Sequence, residues 1–173
     1  QRQMCIRDSP KSHAEDIDNS WLGVVLNLVE QFEEIDTDTP GEGSKIETME
    51  NGSYKFYDSA DAPFKNRDPR LWGTVIYPNA TLKSSPVILQ AGQLNKVDGK
   101  WQILTGDLDS KDAQGNIITA LNGPKESNEQ YINKTGFYIR KFIDETPSAG
   151  TRGRGSEMWM PRFRMAEAYM IAA

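Results

Sequence analysis

A chain of 173 residues is long enough to form one domain with its own hydrophobic core. Only 37% of the residues are hydrophobic and the mean hydropathy is -0.64, so loops are expected to make up much of the chain. The net charge of -5 gives no support to nucleic-acid binding, because phosphates are neutralised by clustered basic residues. One cysteine and one histidine exclude an internal disulfide and a metal site built from cysteines or histidines, and we expect neither a metal nor a cofactor.

Both ends of the sequence are predicted to be truncated. Residues 4–9 read MCIRDS and resemble translated sequencing-adapter read-through, with a genuine polar tail as the alternative. We therefore treat residues 1–9 as a non-native or disordered tail and residues 10–173 as part of a larger protein. The last residues continue a helical pattern without the Gly, Asn or Pro that usually ends a helix.

The first predicted helix covers residues 21–34, with Asn19 or Ser20 as its N-cap. Its apolar residues follow a helical spacing but are crowded, which is typical of a helix buried on more than one side. They are Trp21, Leu22, Val25, Leu28, Val29 and Phe32. The segment that follows contains Pro40 and two glycines and is expected to break the helix.

Two acidic loops invite comparison with calcium-binding loops. Asp36, Asp38 and Glu47 occupy the first, third and twelfth positions of the EF-hand spacing. The fifth position is Pro40, which has no side-chain oxygen, and no second helix follows. The loop that begins at Asp107 matches the spacing less well. We therefore predict that both loops are turns and that neither binds a metal.

A short central segment combines the start of a helix with a strand. Asp68 is predicted as the N-cap and Pro69 as the first helical residue, where a missing N–H costs nothing. Arg67 and Arg70 flank this cap, and their guanidinium groups suit bidentate pairing with carboxylates of a neighbouring segment. Residues 74–77 are β-branched or aromatic and predict a strand.

Further strands are predicted where β-branched and aromatic residues lie between turn signals. Asp98-Gly99 is a hairpin signal between two of these strands. In the last of them, Phe137 and Ile139 alternate with Tyr138, as in a half-buried strand. The predicted strands cover residues 54–57, 86–91, 100–105, 116–120 and 136–142.

The C-terminal residues 163–173 predict a helix that is apolar on most faces apart from Arg164 and Glu167. These two side chains are three positions apart, so they share one face of the helix and can pair. We interpret the pair as structural rather than as ligand contacts, because a buried charge persists only when it is paired. Such a helix needs partner helices on more than one side, and the sequence predicts only one other.

Four segments, in the same order along the chain, resemble motifs of the SusD/RagB family of outer-membrane nutrient-binding lipoproteins. They are residues 28–33, 66–71, 135–142 and 164–173. Val24-Val25 departs from the Pro-Ser or Pro-Thr that usually precedes the first motif, and the last motif stops before its closing Glu-Ala. The matching residues look structural, so the resemblance assigns them no ligand contact. They include Arg67, Asp68, Pro69, Arg70, Gly136, Arg164 and Glu167.

The resemblance implies a loop-rich α+β fragment of a mainly helical, tetratricopeptide-like fold with short strands and hairpins. It implies a non-catalytic protein that captures a glycan or peptide nutrient and delivers it to a TonB-dependent outer-membrane transporter. It also implies a cell-surface lipoprotein of a Gram-negative bacterium, held at the outer membrane only by a lipid anchor outside this sequence. The alternatives are a secreted carbohydrate-active enzyme, since 25 acidic residues could supply a catalytic pair, and a helical-repeat scaffold that binds another protein.

Sugar rings stack on flat aromatic faces, which this sequence offers at three tyrosines, Tyr54, Tyr57 and Tyr77, and at three tryptophans. The tryptophans are the candidate ligand contacts. Trp101 ranks first because it follows a predicted hairpin turn and lies on a mostly polar strand. Trp72 and Trp159 are the other two candidates. The alternative for each is a place in the hydrophobic core or a role as hydrophobic surface cover.

Overall fold

The structure, a computed structural model, describes residue 10 and residues 23–35, 38–125, 133–146 and 165–172. These residues form three short α-helices, a 3-10 helix at Ala62–Phe64 and ten short strands. The helices are α1 (Leu26–Val29), α2 (Arg70–Thr74) and α3 (Met165–Ala172). The strands are β1 (Met49–Glu50), β2 (Ser53–Tyr54), β3 (Val75–Ile76), β4 (Thr81–Leu82), β5 (Ser85–Pro86), β6 (Gln93–Val97), β7 (Lys100–Leu104), β8 (Ser110–Lys111), β9 (Ile117–Thr119) and β10 (Tyr138–Ile139).

The strands of the described residues pair into two-stranded antiparallel sheets. Four of these sheets are hairpins of consecutive strands, namely β1–β2, β4–β5, β6–β7 and β8–β9, and the fifth joins β3 to the distant β10. Three hairpins turn through two residues with positive φ, as type I′ turns require. The turn residues are Asn51-Gly52, Lys83-Ser84 and Asp98-Gly99.

The β3–β10 pair separates two hydrophobic clusters. Ile76 lies opposite Tyr138, and Val75 lies opposite Ile139. Because neighbouring residues of a strand face opposite sides, the first pair packs in one cluster and the second pair in the other. The first cluster also contains Ala80, Leu82, Val87, Leu89 and Ile143, and the second contains Val24, Val29, Phe64, Leu71 and Phe137. The predicted alternation around β10 is therefore present, but both of its faces pack in a core.

The expectation of a mainly helical, tetratricopeptide-like fold is wrong for the described residues. They consist mostly of strands and loops, and their α-helices are short. The physical reason lies in the spacing of turn residues. Apolar runs here are brief and are bounded by residues with left-handed backbone conformations, which favours hairpins over pairs of helices.

The predicted helix over residues 21–34 is reduced, in its described part, to the four residues of α1. Gly23 forms a β-bridge with Tyr138, and the N–H of Val24 donates a hydrogen bond to the carbonyl oxygen of the residue before β10 at 3.3 Å. Val25 is also extended, with φ -80° and ψ 149°. β-branched residues favour this extended backbone, so residues 23–25 lie beside β10 instead of forming part of the predicted helix.

The hairpin turn predicted at Asp98-Gly99 is confirmed, but the strand before it is not the predicted one. β6 leads directly into this turn and pairs with β7 along its whole length. The apolar residues 86–91 instead form a largely irregular segment that buries Val87 and Leu89 in the core. Apolar composition therefore identified a core segment, whereas β6 is too polar to be recognised as a strand from its composition.

None of the residues of α3 is buried. Its exposed large side chains, between 68% and 75% exposed, are Met165, Tyr169, Met170 and Ile171. This outcome agrees with the expectation that the helix finds too few partner helices in this chain. Glu167 is exposed and Arg164 lies outside the described residues, so the pairing of these two stays a prediction. No helix in the described ranges is long and apolar enough to cross a membrane.

The chain turns into β10 around the buried side chain of Asn133. Its Oδ1 accepts hydrogen bonds from the N–H groups of Thr135 at 2.8 Å and Gly136 at 3.0 Å. Its Nδ2 donates to the carbonyl oxygen of Phe137 at 3.1 Å. Gly136 has a φ of 80°, a conformation that favours glycine. One amide side chain thus satisfies three backbone groups and orients the start of β10.

The substitution Asn133→Ala is expected to lower the free energy of unfolding by about 1–3 kcal/mol, because it leaves the N–H groups of Thr135 and Gly136 without their acceptor. Urea unfolding followed by circular dichroism measures the change. Lys134→Ala is the control, since Lys134 is an exposed neighbour, and its effect should stay below about 0.5 kcal/mol. Equal effects of the two substitutions would contradict the role assigned to Asn133.

Candidate functional site

Arg67 joins separate segments of the chain through a guanidinium group that is only 1% exposed. Its acceptors are the carbonyl oxygens of Phe32, Ser44, Lys45 and Pro63 and the Oε1 atom of Glu34, at distances of 2.6 to 3.3 Å. A guanidinium group has five N–H donors, and all five are used here. Arg67 therefore has no donor left for a ligand.

Asp68 and Arg70 form a local pair at the start of α2. The Oδ1 atom of Asp68 accepts a hydrogen bond from the backbone N–H of Arg70 at 2.8 Å, and its Oδ2 accepts one from Nε at 2.7 Å. The hydrogen bond from the guanidinium group lowers the pKa of Asp68. Helix α2 has Pro69 as its N-cap and begins one residue later than predicted. Of the two arginines, Arg67 pairs with a carboxylate of another segment, whereas Arg70 pairs within its own turn.

Two hairpins bring three aromatic side chains together at the surface, and we call this group the aromatic platform. It consists of Tyr54 in β2, Phe56 two residues later and Trp101 in β7. The ring centroids of Phe56 and Trp101 are 5.4 Å apart, and those of Tyr54 and Trp101 are 6.4 Å apart. Phe56 is 64% exposed, Tyr54 40% and Trp101 37%. The rings therefore contact one another while leaving apolar surface open to a ligand.

Trp101 is held in place from the opposite strand of its hairpin. Lys96 is its partner in the β6–β7 register, and the Nζ atom of Lys96 lies 5.5 Å from the centroid of the Trp101 ring. A cation at this distance is attracted by the electron-rich face of an indole. The platform therefore has one lysine at its edge and a tryptophan whose orientation is supported by two hairpins.

Trp72 serves a different purpose, although it is 54% exposed. The guanidinium carbon of Arg140 lies 4.0 Å from the centroid of the Trp72 ring. Arg140 is buried, and its Nε and Nη2 atoms lie 2.8 Å and 2.7 Å from Oε1 of Glu145. One face of Trp72 therefore covers a buried cation, which is a structural use of the ring.

A pocket of about 340 Å³ lies beside the segment that carries the platform. Its polar lining residues are Glu34, Ser44, Lys45, Glu47, Lys55, Tyr57, Asn66 and Arg67. Lys55 forms an ion pair with Glu47, and the hydroxyl group of Tyr57 donates a hydrogen bond to the Glu47 carbonyl oxygen at 2.7 Å. The hydrogen bond from Lys55 lowers the pKa of Glu47, and the same bond raises the pKa of Lys55. Both groups therefore stay charged at neutral pH.

Residues 54–57 separate the platform from the pocket by simple alternation. Tyr54 and Phe56 contact Trp101, whereas Lys55 and Tyr57 line the pocket. An extended backbone places neighbouring side chains on opposite faces, which explains this division. The two surfaces are thus separated by the thickness of one extended segment.

Of the three predicted ligand contacts, the structure brings only Trp101 into a cluster of exposed rings. Trp72 packs on Arg140, and Trp159 lies outside the described residues. Sequence reasoning missed Phe56 as a candidate. The signal that could have found it is its position two residues after Tyr54, which places both rings on the same side of an extended segment.

The acidic loop between β8 and β9 is closed by its own hydrogen bonds. The Oδ1 atom of Asp112 accepts from the N–H groups of Gln114 at 2.9 Å and Asn116 at 2.8 Å. The part of the chain that the structure describes holds no group of three or more acidic, histidine or cysteine side chains that could bind a metal. Asp36 of the first acidic loop lies outside it, and the absence of a metal stays a prediction for both acidic loops.

Comparison with known proteins supports the resemblance to the SusD/RagB family. The family model described as the SusD family matches residues 2–173, which is nearly the whole chain. No curated protein and no solved structure gives a significant match. The family is one of cell-surface nutrient-binding proteins that are generally not enzymes. Since the match far exceeds half of the chain, this protein belongs to the SusD family.

Proposed function

We propose that this chain binds an oligosaccharide at the aromatic platform, without cleaving it. The observation that carries the proposal is the exposed contact between Phe56 and Trp101 on two separate hairpins. The C–H groups on the face of a sugar ring carry partial positive charge and suit the negative face of an aromatic ring. Rings that already contact one another lose little conformational freedom when a ligand binds, which favours affinity.

Family membership supports the cellular part of the proposal. Proteins of this family usually work with a TonB-dependent transporter and are associated with the outer membrane. We therefore extend the proposal to delivery of the bound oligosaccharide to such a transporter. This delivery takes place at the surface of a Gram-negative bacterium, where a lipid anchor holds the protein at the outer membrane. A peptide is the second ligand class, and a glycan is favoured because the exposed contacts of the platform are rings.

The test is a binding screen with this chain immobilised at low density on a biosensor, which keeps different copies apart. Neutral and acidic oligosaccharides and a mixture of peptides are passed over the surface. Phe56→Ala and Trp101→Ala should each weaken oligosaccharide binding about tenfold or more, which corresponds to about 1.4 kcal/mol. The loss follows from the removal of stacking area.

Tyr169→Ala is the matched control, because Tyr169 is an aromatic residue in α3 that is more exposed than either platform residue. It should leave the affinity unchanged. Undiminished binding in the Phe56→Ala and Trp101→Ala variants would contradict the proposed site. Release of shortened sugars from the probe would show an enzyme instead of a binding protein.

A further inference from the structure

The pocket beside the platform carries an inference about the kind of sugar that this protein recognises. We infer that the pocket binds a single neutral sugar ring through two adjacent hydroxyl groups. This inference rests on the proposed function, because it names the sugar unit that would be bound in addition to the one stacked on the platform. It concerns the Lys55–Glu47 pair rather than the aromatic rings.

Lys55 and Glu47 present a donor and an acceptor side by side. The ammonium group of Lys55 can donate a hydrogen bond to one hydroxyl oxygen, and the carboxylate of Glu47 can accept one from a neighbouring hydroxyl group. Hydrogen bonds to charged groups are stronger than those between neutral groups. Adjacent hydroxyl groups of a sugar ring have the spacing and the mixed donor and acceptor character that such a pair requires.

The remaining pocket wall suits the rest of a sugar ring. Ile46, Ala62 and Pro63 supply apolar surface for its C–H groups, and the Tyr57 side chain adds a hydroxyl group. The volume of about 340 Å³ lies at the small end of ligand pockets, which fits one ring rather than a longer segment.

The charges of the pocket favour a neutral ring over an acidic one. All five donors of Arg67 are used by the protein itself, and Lys55 is already paired with Glu47. An anionic group would meet the carboxylates of Glu34 and Glu47 and would have to compete with Glu47 for Lys55. The third cation that lines the pocket is Lys45. This residue is exposed, so solvent screens the attraction of its ammonium group for an anion.

The experiment uses the full 173-residue chain, immobilised at low density, with maltohexaose, mannohexaose and xylohexaose as neutral probes and hexagalacturonate as the acidic probe. Glu47→Gln keeps the shape of the side chain and removes its charge, and Lys55→Met removes the ammonium group. Each should weaken binding of the neutral probe about tenfold, because one charged hydrogen bond is lost. Circular dichroism spectra verify that the variants fold.

Glu50→Gln is the matched control, since Glu50 lies in β1, three residues after Glu47, and carries the same charge but does not line the pocket. It should bind like the unmodified chain. Tyr57→Phe replaces the charge variants if these fail to fold, because it removes only one hydroxyl group. Tyr57→Phe should weaken binding of the neutral probe by less than the tenfold expected for the charge variants. It should leave binding at the aromatic platform unchanged.

The outcomes separate this inference from the proposed function. If the pocket variants bind normally while Phe56→Ala loses binding, the pocket inference is wrong and the proposed function stands. If no oligosaccharide binds the unmodified chain, both are wrong. Tighter binding of hexagalacturonate than of every neutral probe, lost in Lys55→Met, would overturn the preference for a neutral ring.

Discussion

Arg67→Ala is expected to lower the free energy of unfolding by about 3–5 kcal/mol, because it removes a buried cation that is hydrogen-bonded throughout. Four backbone carbonyl groups and the Glu34 carboxylate lose a donor at once. Domains of ordinary size have a net stability of roughly 5–15 kcal/mol, so a large share would be lost. Urea unfolding at low protein concentration, followed by circular dichroism, measures the change.

The neighbouring arginine provides the matched control for this experiment. Arg70 has the same chemistry three positions later, but its side chain is 80% exposed and pairs with Asp68 in its own turn. Arg70→Ala should therefore cost a small fraction of what Arg67→Ala costs. Arg67→Lys keeps the positive charge but has three N–H donors instead of five. The loss of stability in this variant should lie between the losses in Arg70→Ala and Arg67→Ala. Similar losses for Arg67→Ala and Arg70→Ala would refute the role assigned to Arg67.

Arg67 also links stability to the candidate site. The carbonyl groups that it binds at Ser44 and Lys45 and the carboxylate of Glu34 belong to residues that line the pocket. Loss of its side chain would release these edges of the pocket from one another. We therefore expect Arg67→Lys to weaken pocket binding more than platform binding, since the platform rests on the two hairpins.

Local chemistry could be predicted from the sequence where a few adjacent residues decide it. The turn at Asp98-Gly99 depends on neighbouring backbone groups and is present in the structure. Asp68 does bind the backbone N–H of Arg70, but the N-cap of α2 is Pro69 rather than Asp68. Long-range pairing could not be predicted in the same way. Val24 and Val25 lie beside β10 and are not helical, although their spacing predicts a helix. The reason is that a segment distant in sequence supplies the hydrogen-bond partner of Val24.

The candidate site shows the same division. An exposed tryptophan next to a hairpin turn could be recognised from the sequence, since a polar strand leaves its ring uncovered. The partners of Trp101 could not, because Phe56 and Tyr54 come from another hairpin and meet it only through tertiary packing. The acceptors of Arg67 are likewise spread over distant segments, and nothing in the sequence around Arg67 identifies them.

The chain is expected to self-associate when it is purified alone, because α3 exposes a continuous set of large apolar side chains. These residues, which are 68% to 75% exposed, are Met165, Tyr169, Met170 and Ile171. Full burial of each would contribute about 1.5–3 kcal/mol, which is a strong driving force for contact between copies. Contiguous apolar surface of this kind promotes association. Light scattering and analytical ultracentrifugation of residues 10–173 should therefore show aggregates or mixed oligomers.

The combined substitution Met165→Lys, Met170→Glu and Ile171→Lys should restore a monomer, since it replaces apolar surface by charge without removing any buried group. Glu167→Gln on the same helix is the control and should associate as the unmodified chain does, because Glu167 adds no apolar area. A monodisperse monomer with a sharp two-state melt from the unmodified chain would refute this expectation. It would mean that the exposed face of α3 is tolerated in solution, and that the two hydrophobic clusters around β3 and β10 suffice to hold a stable domain.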